Sequence, residues 1–545
     1  MRILLRVFFA VVLVMGLTLG LFGCKKAEYG TESKEAVQEE AAPAGEQAPG
    51  YGERPCRSPG FLVLARWGKR GSYFFYNISM GLHPPIPRDV STPSGTLVLG
   101  GGLAGLSAGY RLTNECRRVS VVEAAPYVGG LSRTVRTGEF LFDLGGHRFV
   151  TKDKGVELIV KLLMEGELIT VSRSSKIYLR NKFFDYPLTP RNALSGMGML
   201  TVARILADYS LERLRAFAGN GRCVSLEDWV VKNFGRSMFN IYFKEYSEKV
   251  WGLDCQRISE KWVKTRIRGL SLGKALKNAF FKFSGREIPT LADTFLYPRR
   301  GIGRISERLR EEIDKDNSVL TSAPAVRVAH DGRRVRSVTV RHAEGEQVVE
   351  PGNIISTIPL PALVRMMDPA PPPEVLEAAG RLRYRDLLLV AVIVGRDRVT
   401  DQTWIYIPEK KIPFGRIHEP KNWSAEMAPT GKTLLVVEYF CFRGDDTWNA
   451  SDEELSKTTA KGLENLGFIK EAEVTGTKVV RVPGAYPLFE LGFEEHCERL
   501  YSWLDGFDNL HIAGRSGTFQ YYNMDHAILS GFETAELILN GGGKR

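Results

Sequence analysis

The sequence predicts an α/β protein with a doubly wound parallel sheet and an interleaved α+β domain. Thr96–Leu99 is a short apolar, β-prone run, followed by a glycine-rich turn and then a helix-compatible segment. Val119–Val122 has the composition of a second buried strand and ends at the acidic Glu123. The chain between 151 and 505 combines a stretch of helical spacing with several β-rich runs. A strand, a glycine turn, a helix and a second strand are the typical start of a doubly wound sheet.

The length and composition are those of a globular protein with more than one domain. The 545 residues are 43% hydrophobic, 10% aromatic and 25% charged, which argues against intrinsic disorder, collagen and a polytopic membrane protein. Lys and Arg number 74 against 63 Asp and Glu, a formal net charge of +11. No long basic block is interleaved with aromatic residues, so we expect no nucleic-acid partner. An anionic small substrate or a membrane surface is compatible with this charge.

The cysteines carry no signature of a metal site. They are widely scattered, include no C-x-x-C pair, and form no cluster with histidine at metal-ligand spacing. We therefore expect no bound metal and no disulfide framework. The seven cysteines are Cys24, Cys56, Cys116, Cys223, Cys255, Cys441 and Cys497.

The N-terminus resembles a bacterial lipoprotein signal. Two basic residues, Arg2 and Arg6, precede an uncharged apolar run that ends at Gly23, and Cys24 follows. Residues 1–24 are therefore expected to act as such a signal and to associate the protein with a membrane.

The segment after this signal is predicted to be a linker. Residues 25–50 are too poor in apolar side chains to bury a core, and we expect disorder over 25–94. An alternative is that translation begins at Met80, shortly before the first confident strand. The protein would then be cytoplasmic.

Residues 100–105 have the G-x-G-x-x-G spacing of a dinucleotide-binding turn, with Gly100, Gly102 and Gly105 at the glycine positions. Such glycines let the chain turn tightly, let backbone N–H groups approach a pyrophosphate, and let helix and strand pack closely. Glu123 follows Gly105 by 18 residues, where a carboxylate can accept both ribose hydroxyls of an adenosine. The same carboxylate would repel a 2′-phosphate, so NADP is not expected, and FAD and NAD remain.

A second glycine pair decides between these cofactors. Gly129 and Gly130 follow Glu123 after a short spacer and precede Arg133. This stretch resembles the FAD-binding signature of the flavin-containing amine oxidase superfamily, whose members include amine oxidases, protoporphyrinogen oxidase and UDP-galactopyranose mutase. The resemblance implies FAD as the cofactor. It also implies that the second glycine turn lies beside the phosphate and ribityl chain and that Arg133 contacts them.

Residues 142–149 resemble the superfamily segment that runs under the isoalloxazine ring. The resemblance implies that Gly146 and His147 lie near the flavin. The alternative for His147 is a hydrogen-bonded histidine of the core.

Later segments extend the resemblance toward the C-terminus. Residues 295–304 resemble the superfamily's return to the FAD-binding domain, and Val326 then stands where family members touch the adenine through backbone atoms. Residues 511–528 are similar to the C-terminal motif of the mutases but depart from it at Asn523, where the mutases have Asp. The residues that match are Gly514, Arg515, Tyr521, Met524 and Asp525. Of these, Gly514, Arg515 and Met524 are implied to contact the flavin.

Residues 246–252, followed by Arg266, resemble UDP-galactopyranose mutase in particular. In the mutases a similar motif precedes arginines that hold the nucleotide diphosphate, so the resemblance implies a nucleotide sugar as a possible partner. The second of those arginines is replaced here by Leu270. The alternative is that Lys249 and Arg266 form structural or solvated ion pairs.

The motifs divide the chain into an FAD-binding domain with a substrate domain inserted into it. The FAD-binding domain is expected to comprise three separated segments, 95–150, 295–359 and 506–545. The substrate domain is expected to comprise a largely helical segment, 151–294, and a β-rich segment, 360–505.

These expectations lead to three functions. The first is an FAD-dependent oxidoreductase of the amine oxidase or protoporphyrinogen oxidase type, which moves a hydride from a small-molecule substrate to flavin N5. The alternative is a mutase-like, flavin-dependent isomerase of nucleotide sugars. The second alternative is a non-catalytic binding protein on the same fold. The catalytic residues are not identified from the sequence, and the candidates are His147, Arg266 and Tyr521.

Overall fold

The structure is a computed structural model, and it describes residues 61–67, 72–78, 95–186, 198–217, 223–266 and 294–541. The predicted signal with Cys24, the alternative start Met80 and Leu270 lie outside these residues. Within the described residues, Cys223, Cys255, Cys441 and Cys497 are free thiols, and Cys116 lies in an exposed turn after a helix.

The strands of the described residues are numbered in chain order. They are β1 (Phe61–Trp67), β2 (Ser72–Ile78), β3 (Thr96–Leu99), β4 (Val119–Val122), β5 (Thr134–Thr137), β6 (Phe140–Asp143), β7 (Leu168–Ser172), β8 (Ser175–Leu179), β9 (Lys182–Asp185), β10 (Thr294–Pro298), β11 (Ser318–Leu320), β12 (Ala325–His330), β13 (Val335–His342), β14 (Gly345–Val349), β15 (Asn353–Ser356), β16 (Met367–Asp368), β17 (Tyr384–Val394), β18 (Trp404–Tyr406), β19 (Arg416–His418), β20 (Thr433–Cys441), β21 (Val474–Pro487) and β22 (Leu510–Ile512).

The helices are numbered in the same way. They are α1 (Leu103–Asn114), α2 (Lys154–Leu163), α3 (Met199–Phe217), α4 (Leu226–Phe234), α5 (Arg236–Met238), α6 (Lys244–Trp251), α7 (Glu260–Arg266), α8 (Arg304–Ile313), α9 (Leu360–Met366), α10 (Pro373–Arg381), α11 (Asp446–Asn449), α12 (Asp452–Asn465), α13 (Phe493–Leu504), α14 (Gly514–Gly517) and α15 (Met524–Leu539). A π-helical turn, Phe239–Phe243, joins α5 to α6.

A five-stranded parallel sheet has the order β11-β4-β3-β15-β22. All four residues of the central strand β3 are buried, as expected for a parallel strand covered on both faces. The strands come from three separated stretches of chain, 96–122, 318–356 and 510–512. The predicted α/β class and doubly wound sheet are therefore confirmed.

Helices α1, α8 and α15 flank this sheet. The helices α1 and α15 approach each other closely because α15 carries Gly531, where a Cβ atom would lie 2.1 Å from the carbonyl oxygen of Ala104. Arg111 of α1 also donates to Glu536 of α15 at 2.6 Å. This packing holds the N-termini of α1 and α15 beside the carboxyl ends of the strands.

A seven-stranded mixed sheet, in the order β21-β17-β20-β19-β18-β8-β9, forms the second layer that reaches the site. Its inner strand β20 is buried at every position, and Leu455 and Leu463 of α12 belong to the core on one side of the sheet. The first strands after residue 151 belong to this sheet or to the β7–β10 pair. The segment 151–294, expected to be largely helical, therefore contains three strands after α2, because β-branched residues such as Ile169, Val171 and Ile177 pair with distant strands.

One buried carboxylate connects β5, β6, β10 and the turn before α8. Asp143, at the end of β6, accepts hydrogen bonds from the hydroxyl of Tyr297 at 2.6 Å and from the backbone N–H of Ile302 at 3.1 Å. Thr134 of β5 also donates to it at 2.6 Å. Burial raises the pKa of Asp143 to about 6. These bonds fix the β5–β6 hairpin and the turn before α8 in the positions that frame the site.

The region predicted to be a disordered linker contains an antiparallel hairpin, β1 with β2. The two runs are rich in aromatic and branched residues, which favour strands. Among the described residues, no helix combines the length and the apolar composition needed to cross a bilayer.

Candidate active site

A cavity of about 1540 Å³ opens at the carboxyl ends of β3 and β4. Ligands of doubly wound sheets bind at this edge, outside the carboxyl ends of the strands. The volume exceeds the roughly 300–1,000 Å³ of a pocket for a drug-sized ligand, so it has room for a dinucleotide and a substrate together. The opposite wall comes from the seven-stranded sheet, through Trp404, Tyr406, Arg416 and Tyr486.

The first glycine turn forms one end of the cavity. Gly100 adopts φ +106°, and a Cβ atom there would lie 2.4 Å from Oγ1 of Thr357. Gly102 is the N-cap of α1 without any side-chain cap, and a Cβ atom built on it meets nothing within 4 Å. The first amides of α1 therefore face open space in the cavity, which suits a bound anion.

Gly105 is not among the residues that line the cavity. A Cβ atom there would lie 2.0 Å from the carbonyl oxygen of Gly100. Its role is therefore to let α1 pack closely on the end of β3.

Glu123 lines the cavity directly after β4. Its carboxylate accepts hydrogen bonds from the backbone N–H of Gly101 at 2.7 Å and of Ala125 at 2.8 Å. These two bonds hold the acid at the edge of the turn that is predicted to bind the pyrophosphate.

The second glycine turn packs against the first. The N–H of Gly129 donates to the carbonyl of Gly101 at 2.8 Å, and Gly129 adopts φ +99°. A Cβ atom on Gly130 would lie 3.5 Å from Cα of Gly102. Arg133 lines the same cavity with its guanidinium 3.9 Å above the ring of Tyr127, and burial lowers the pKa of Arg133.

Gly146 and His147 also line the cavity. A Cβ atom on Gly146 would overlap the indole ring of Trp404, so only glycine allows this contact. Burial, together with the charges of Arg515 and Arg416, lowers the pKa of His147 to about 4. Its Nδ1 is buried and has no hydrogen-bond partner among the described residues.

A buried ion pair lies on the opposite wall. Arg416 Nη1 is 3.1 Å from Oε2 of Glu438, whose side chain is fully buried. Arg416 Nε also donates to the hydroxyl of Tyr246 at 2.9 Å, and Nη1 lies 3.4 Å from the hydroxyl of Tyr486. Burial raises the pKa of Glu438, and the Arg416 charge opposes this. We call these four residues, Arg416, Glu438, Tyr246 and Tyr486, the Arg416 cluster.

His418 lies beside this cluster in an aromatic stack. Its ring centroid is 5.5 Å from that of Trp404 at an interplanar angle of 12°, and Trp404 stacks on Trp423 at 6.2 Å. Burial lowers the pKa of His418 to about 3, and the neighbouring His147 and Arg416 act in the same direction. Neither ring nitrogen has a hydrogen-bond partner within the part of the chain that the structure describes.

Arg515 is the second half-buried arginine at the cavity. It donates to the carbonyls of Tyr522 at 3.0 Å and Ala485 at 3.2 Å. Its guanidinium lies 4.2 Å above the ring of Tyr521, which stacks on Tyr486 at 6.3 Å. Gly514 and Met524, at the starts of α14 and α15, line the cavity as well.

Three further residues named from the motifs are Val326, Arg266 and Lys249. Val326 does not line the cavity, although its neighbour Ala325 does. Arg266 is the last residue of α7, and its side chain lies outside the described part. The Lys249 amine contacts four backbone carbonyls, of Ile407, Glu409, Ile412 and Phe414, at 2.6 to 3.1 Å.

Lys249 therefore holds the loop between β18 and β19, and it forms neither a substrate contact nor one of the ion pairs considered above. Burial lowers its pKa to about 7.

The sequence expectations missed Trp404, Arg416, His418 and Glu438. One signal was present in the sequence, because Glu438 is a single acid within the apolar run 434–442, a position where a charge needs a buried partner. Arg416 and His418 are the first and third residues of β19, so both side chains point to the same face of the sheet. That Arg416 pairs with Glu438 could not be found without knowing that β19 pairs with β20.

The residues at the cavity fit FAD. The two glycine turns leave open space before the uncapped N-terminus of α1, which suits a pyrophosphate. At the other end, buried polar atoms without partners in the described residues, His147 Nδ1, Trp404 Nε1 and Arg515 Nε, leave hydrogen-bonding groups for a ring system.

Two curated relatives are similar to this chain, one over most of its length and the other over a short segment. Coproporphyrinogen III oxidase of Bacillus subtilis is 20% identical over 456 residues, which covers 77% of this chain and 93% of the relative. The L-amino-acid oxidase of Crotalus adamanteus is 39% identical over 71 residues, 13% of this chain. The chain thus spans only 14% of the length of that oxidase.

Two solved structures have a similar fold. Reduced UDP-galactopyranose mutase superposes with a TM-score of 0.70 at 22% identity and covers 82% of this chain and 94% of its own. A putative protoporphyrinogen oxidase from Exiguobacterium has a TM-score of 0.64 at 16% identity, covering 82% and 99%. At these identities the likeness concerns the fold.

Residues 103–539 match the family described as flavin containing amine oxidoreductase. This match begins directly after Gly102 and includes the second glycine turn and the wall formed by the seven-stranded sheet. The chain therefore belongs to the flavin-containing amine oxidoreductase family, a family of FAD-dependent oxidoreductases.

Proposed function

We propose that the protein oxidises an anionic small molecule by removing a hydride equivalent from a C–H bond, for which bound FAD supplies the acceptor, N5. The observation that carries the choice of an anion is the pair of half-buried arginines, Arg416 and Arg515, that line the cavity. The relatives named above are oxidases, which supports redox chemistry for this chain.

The glycine turns, Glu123 and the C-terminal helices contact different parts of FAD in this proposal. Gly100, Gly102 and the start of α1 hold the pyrophosphate, and Glu123 accepts hydrogen bonds from the adenosine ribose. Gly130 and Arg133 lie toward the ribityl chain. Met524 and Arg515 lie toward the isoalloxazine end.

Arg416 and the aromatic side chains beside it contact the substrate in this proposal. Arg416 is fixed by Glu438 and Tyr246, so its charge is oriented before a substrate arrives. A guanidinium presents donors in a planar arrangement that matches a carboxylate or a phosphate. Trp404 and Tyr521 are large aromatic walls beside it, which exclude water and strengthen the electrostatic attraction.

The two histidines add hydrogen-bonding groups without adding charge. Because burial keeps the pKa values of His147 and His418 at about 4 and about 3, both rings are neutral at pH 7. A neutral imidazole can accept a hydrogen bond or a proton from a substrate N–H or O–H group. We assign the acceptor role to His147, which lines the cavity.

The test is anaerobic reduction of the full-length holoprotein. Candidate donors are coproporphyrinogen III, protoporphyrinogen, L-amino acids and uncharged amines, and the flavin absorbance band is followed. We expect bleaching by an anionic donor and an Arg416→Met variant with a strongly raised KM for it. Bleaching by uncharged amines alone would contradict the assignment of Arg416.

A second candidate is a flavin-dependent isomerase of nucleotide sugars. It is favoured by the same two arginines, which suit a diphosphate, together with Tyr521 and the Tyr246 of the mutase-like motif. The test is conversion of UDP-galactofuranose to the pyranose by the reduced protein. A colourless protein that fails to bind FAD would instead favour the non-catalytic alternative.

We also propose membrane association through the lipoprotein-like N-terminus. The support is the sequence alone, with its basic start and its apolar run before Cys24. Intact mass of the native protein tests it. A lipidated Cys24 is expected, whereas a chain that starts at Met80 would contradict it.

A further inference from the structure

Helix α3 is anchored to the protein by one side. Ile205 and Tyr209 are buried on that side. A Cβ atom on Gly235, at the start of α5, would lie 2.9 Å from the backbone of Tyr209, so α3 crosses this turn at close range. Ser237 of α5 also donates to Asp208. These contacts fix which face of the helix points to solvent.

The solvent-facing side has an unusual composition. The exposed residues between 199 and 215 are all apolar or arginine, and none is acidic. Leu200 is 89% exposed, and Leu214 is 59% exposed. The exposed apolar residues are Met199, Leu200, Ala203, Ala207, Leu211 and Leu214, and the exposed arginines are Arg204, Arg213 and Arg215.

The apolar residues form one continuous stripe. From Leu200 to Leu214 they follow each other at intervals of three, four, four and three residues, which places them on one face of an α-helix. We call this face the α3 stripe, comprising Leu200, Ala203, Ala207, Leu211 and Leu214. Surface helices ordinarily bury such a stripe and expose charges of both signs.

The acidic residues of α3 are turned away from this face. Glu212 pairs with Arg215 at 2.7 Å and its side chain is 18% exposed. Asp208 bonds to Ser237. Arg204 and Arg213 therefore give the face a positive charge that no exposed acid of the helix balances.

We infer that α3 lies in the plane of a membrane surface, with the α3 stripe in the headgroup and acyl boundary of anionic phospholipids and Arg204 and Arg213 on their phosphates. An exposed apolar stripe flanked by basic residues is the signature of an interfacial helix. The 19 residues span about 28 Å, enough to lie along the surface. The net charge of +11 acts in the same direction.

Charge decides against a second copy as the occupant. A symmetric dimer through α3 would bring the same surface of both copies together. Arg204 and Arg213 would then face like charges, with no exposed acid on α3 to offset them. An anionic lipid surface supplies the missing negative charge.

The test is hydroxyl-radical footprinting of the full-length holoprotein by mass spectrometry. Vesicles of phosphatidylglycerol mixed with phosphatidylcholine are compared with phosphatidylcholine alone. We expect several-fold lower oxidation of Met199, Leu211 and Leu214 with the anionic vesicles. Val348 of β14 and Leu376 of α10 are exposed elsewhere and should be oxidised equally in both.

A matched pair of variants provides the second measurement. Leu211→Gln/Leu214→Gln should weaken vesicle binding by about tenfold, and added salt should weaken wild-type binding. Val348→Gln should bind as the wild type does. All variants carry the same N-terminus, and unchanged circular dichroism and flavin content control for folding.

Three results would overturn the inference. One is oxidation of α3 that does not change with anionic vesicles. Another is a double variant that binds as tightly as Val348→Gln. The third is protection of α3 without vesicles, accompanied by a dimer mass in light scattering.

Discussion

The guanidinium of Arg416 is paired with the carboxylate of Glu438, with Nη1 3.1 Å from Oε2 and the Glu438 side chain fully buried. This pair joins β19 to β20 and holds the guanidinium in a fixed position on the cavity wall opposite the dinucleotide turn. Four predictions rest on this site and on its supports.

Loss of the Glu438 charge should destabilise the protein. In Glu438→Ala the Arg416 charge stays buried without its partner, and we expect a loss of about 3–5 kcal/mol in the free energy of unfolding, measured in urea. The matched control is Glu346→Gln, which breaks the exposed pair with Arg341 and should cost less than about 1 kcal/mol. Equal effects of the two substitutions would contradict a buried, structurally required pair.

Removal of the Glu123 carboxylate should weaken FAD binding. Hydrogen bonds to a charged group contribute about 1.5–3 kcal/mol, so Glu123→Ala should raise the Kd for FAD by about tenfold to a hundredfold. Fluorescence titration of the deflavinated protein measures this. Glu123→Gln keeps an acceptor oxygen, so its Kd for FAD should lie between those of the wild type and Glu123→Ala. An unchanged Kd in Glu123→Ala would refute the assignment.

Acid should destabilise the folded protein through the buried histidines. The folded-state pKa of His418 is lowered to about 3 and that of His147 to about 4, both below the usual 6.5. At these two sites the unfolded chain therefore binds more protons below pH 6.5, and their contribution to stability is lost as the pH falls from 6.5 toward 4, on the order of 2 kcal/mol for each histidine by pH 4.5. The raised pKa of Asp143, about 6, acts in the opposite direction.

Urea unfolding between pH 4.5 and pH 7.5 checks this slope. His418→Gln cannot take up a proton in this range, so its stability should depend less steeply on pH than that of the wild type. Identical slopes in the two proteins would show that His418 is not held neutral by burial.

Loss of Lys249 should loosen the loop between β18 and β19. The amine contacts four carbonyls of this loop, whose ends carry Tyr406 and Arg416. In Lys249→Met we expect faster hydrogen exchange over 407–415, a loss of about 2 kcal/mol in stability, and a raised KM for the anionic substrate.

The control for this loop is Lys411→Met. Lys411 is an exposed neighbour that pairs only at the surface with Glu409. It should leave exchange, stability and KM near the wild-type values. If Lys249→Met behaved in the same way, Lys249 would have no positioning role.

The dinucleotide half of the site could be predicted from local sequence. Gly100, Gly102, Glu123 and Gly129 lie within one short stretch of chain, and each is required by a turn or a strand end that its neighbours specify. Gly105 shows the limit of this reasoning, because the same spacing serves either a ligand contact or a helix–strand contact. The structure assigns it to the second.

The opposite wall could not be predicted in the same way. Arg416, Glu438 and Tyr246 are distant in sequence, and only the order of the seven-stranded sheet and the position of α6 bring them together. The contacts of Lys249 could not be predicted for the same reason, since its four acceptors are carbonyls of a loop more than 150 residues away. Sequence motifs specify local turns well, but they do not specify which buried charges meet across a sheet.

The most direct test of the central claim is the anaerobic reduction of the holoprotein by anionic donors, compared between wild type and Arg416→Met. We expect FAD to copurify with the protein and an anionic donor to bleach the flavin with a stoichiometric amount of oxidised product. The Arg416→Met variant should retain FAD and have a raised KM for this donor. The contradicting result is a flavin that stays oxidised with every donor, in a protein whose reduced form isomerises UDP-galactofuranose without net redox change.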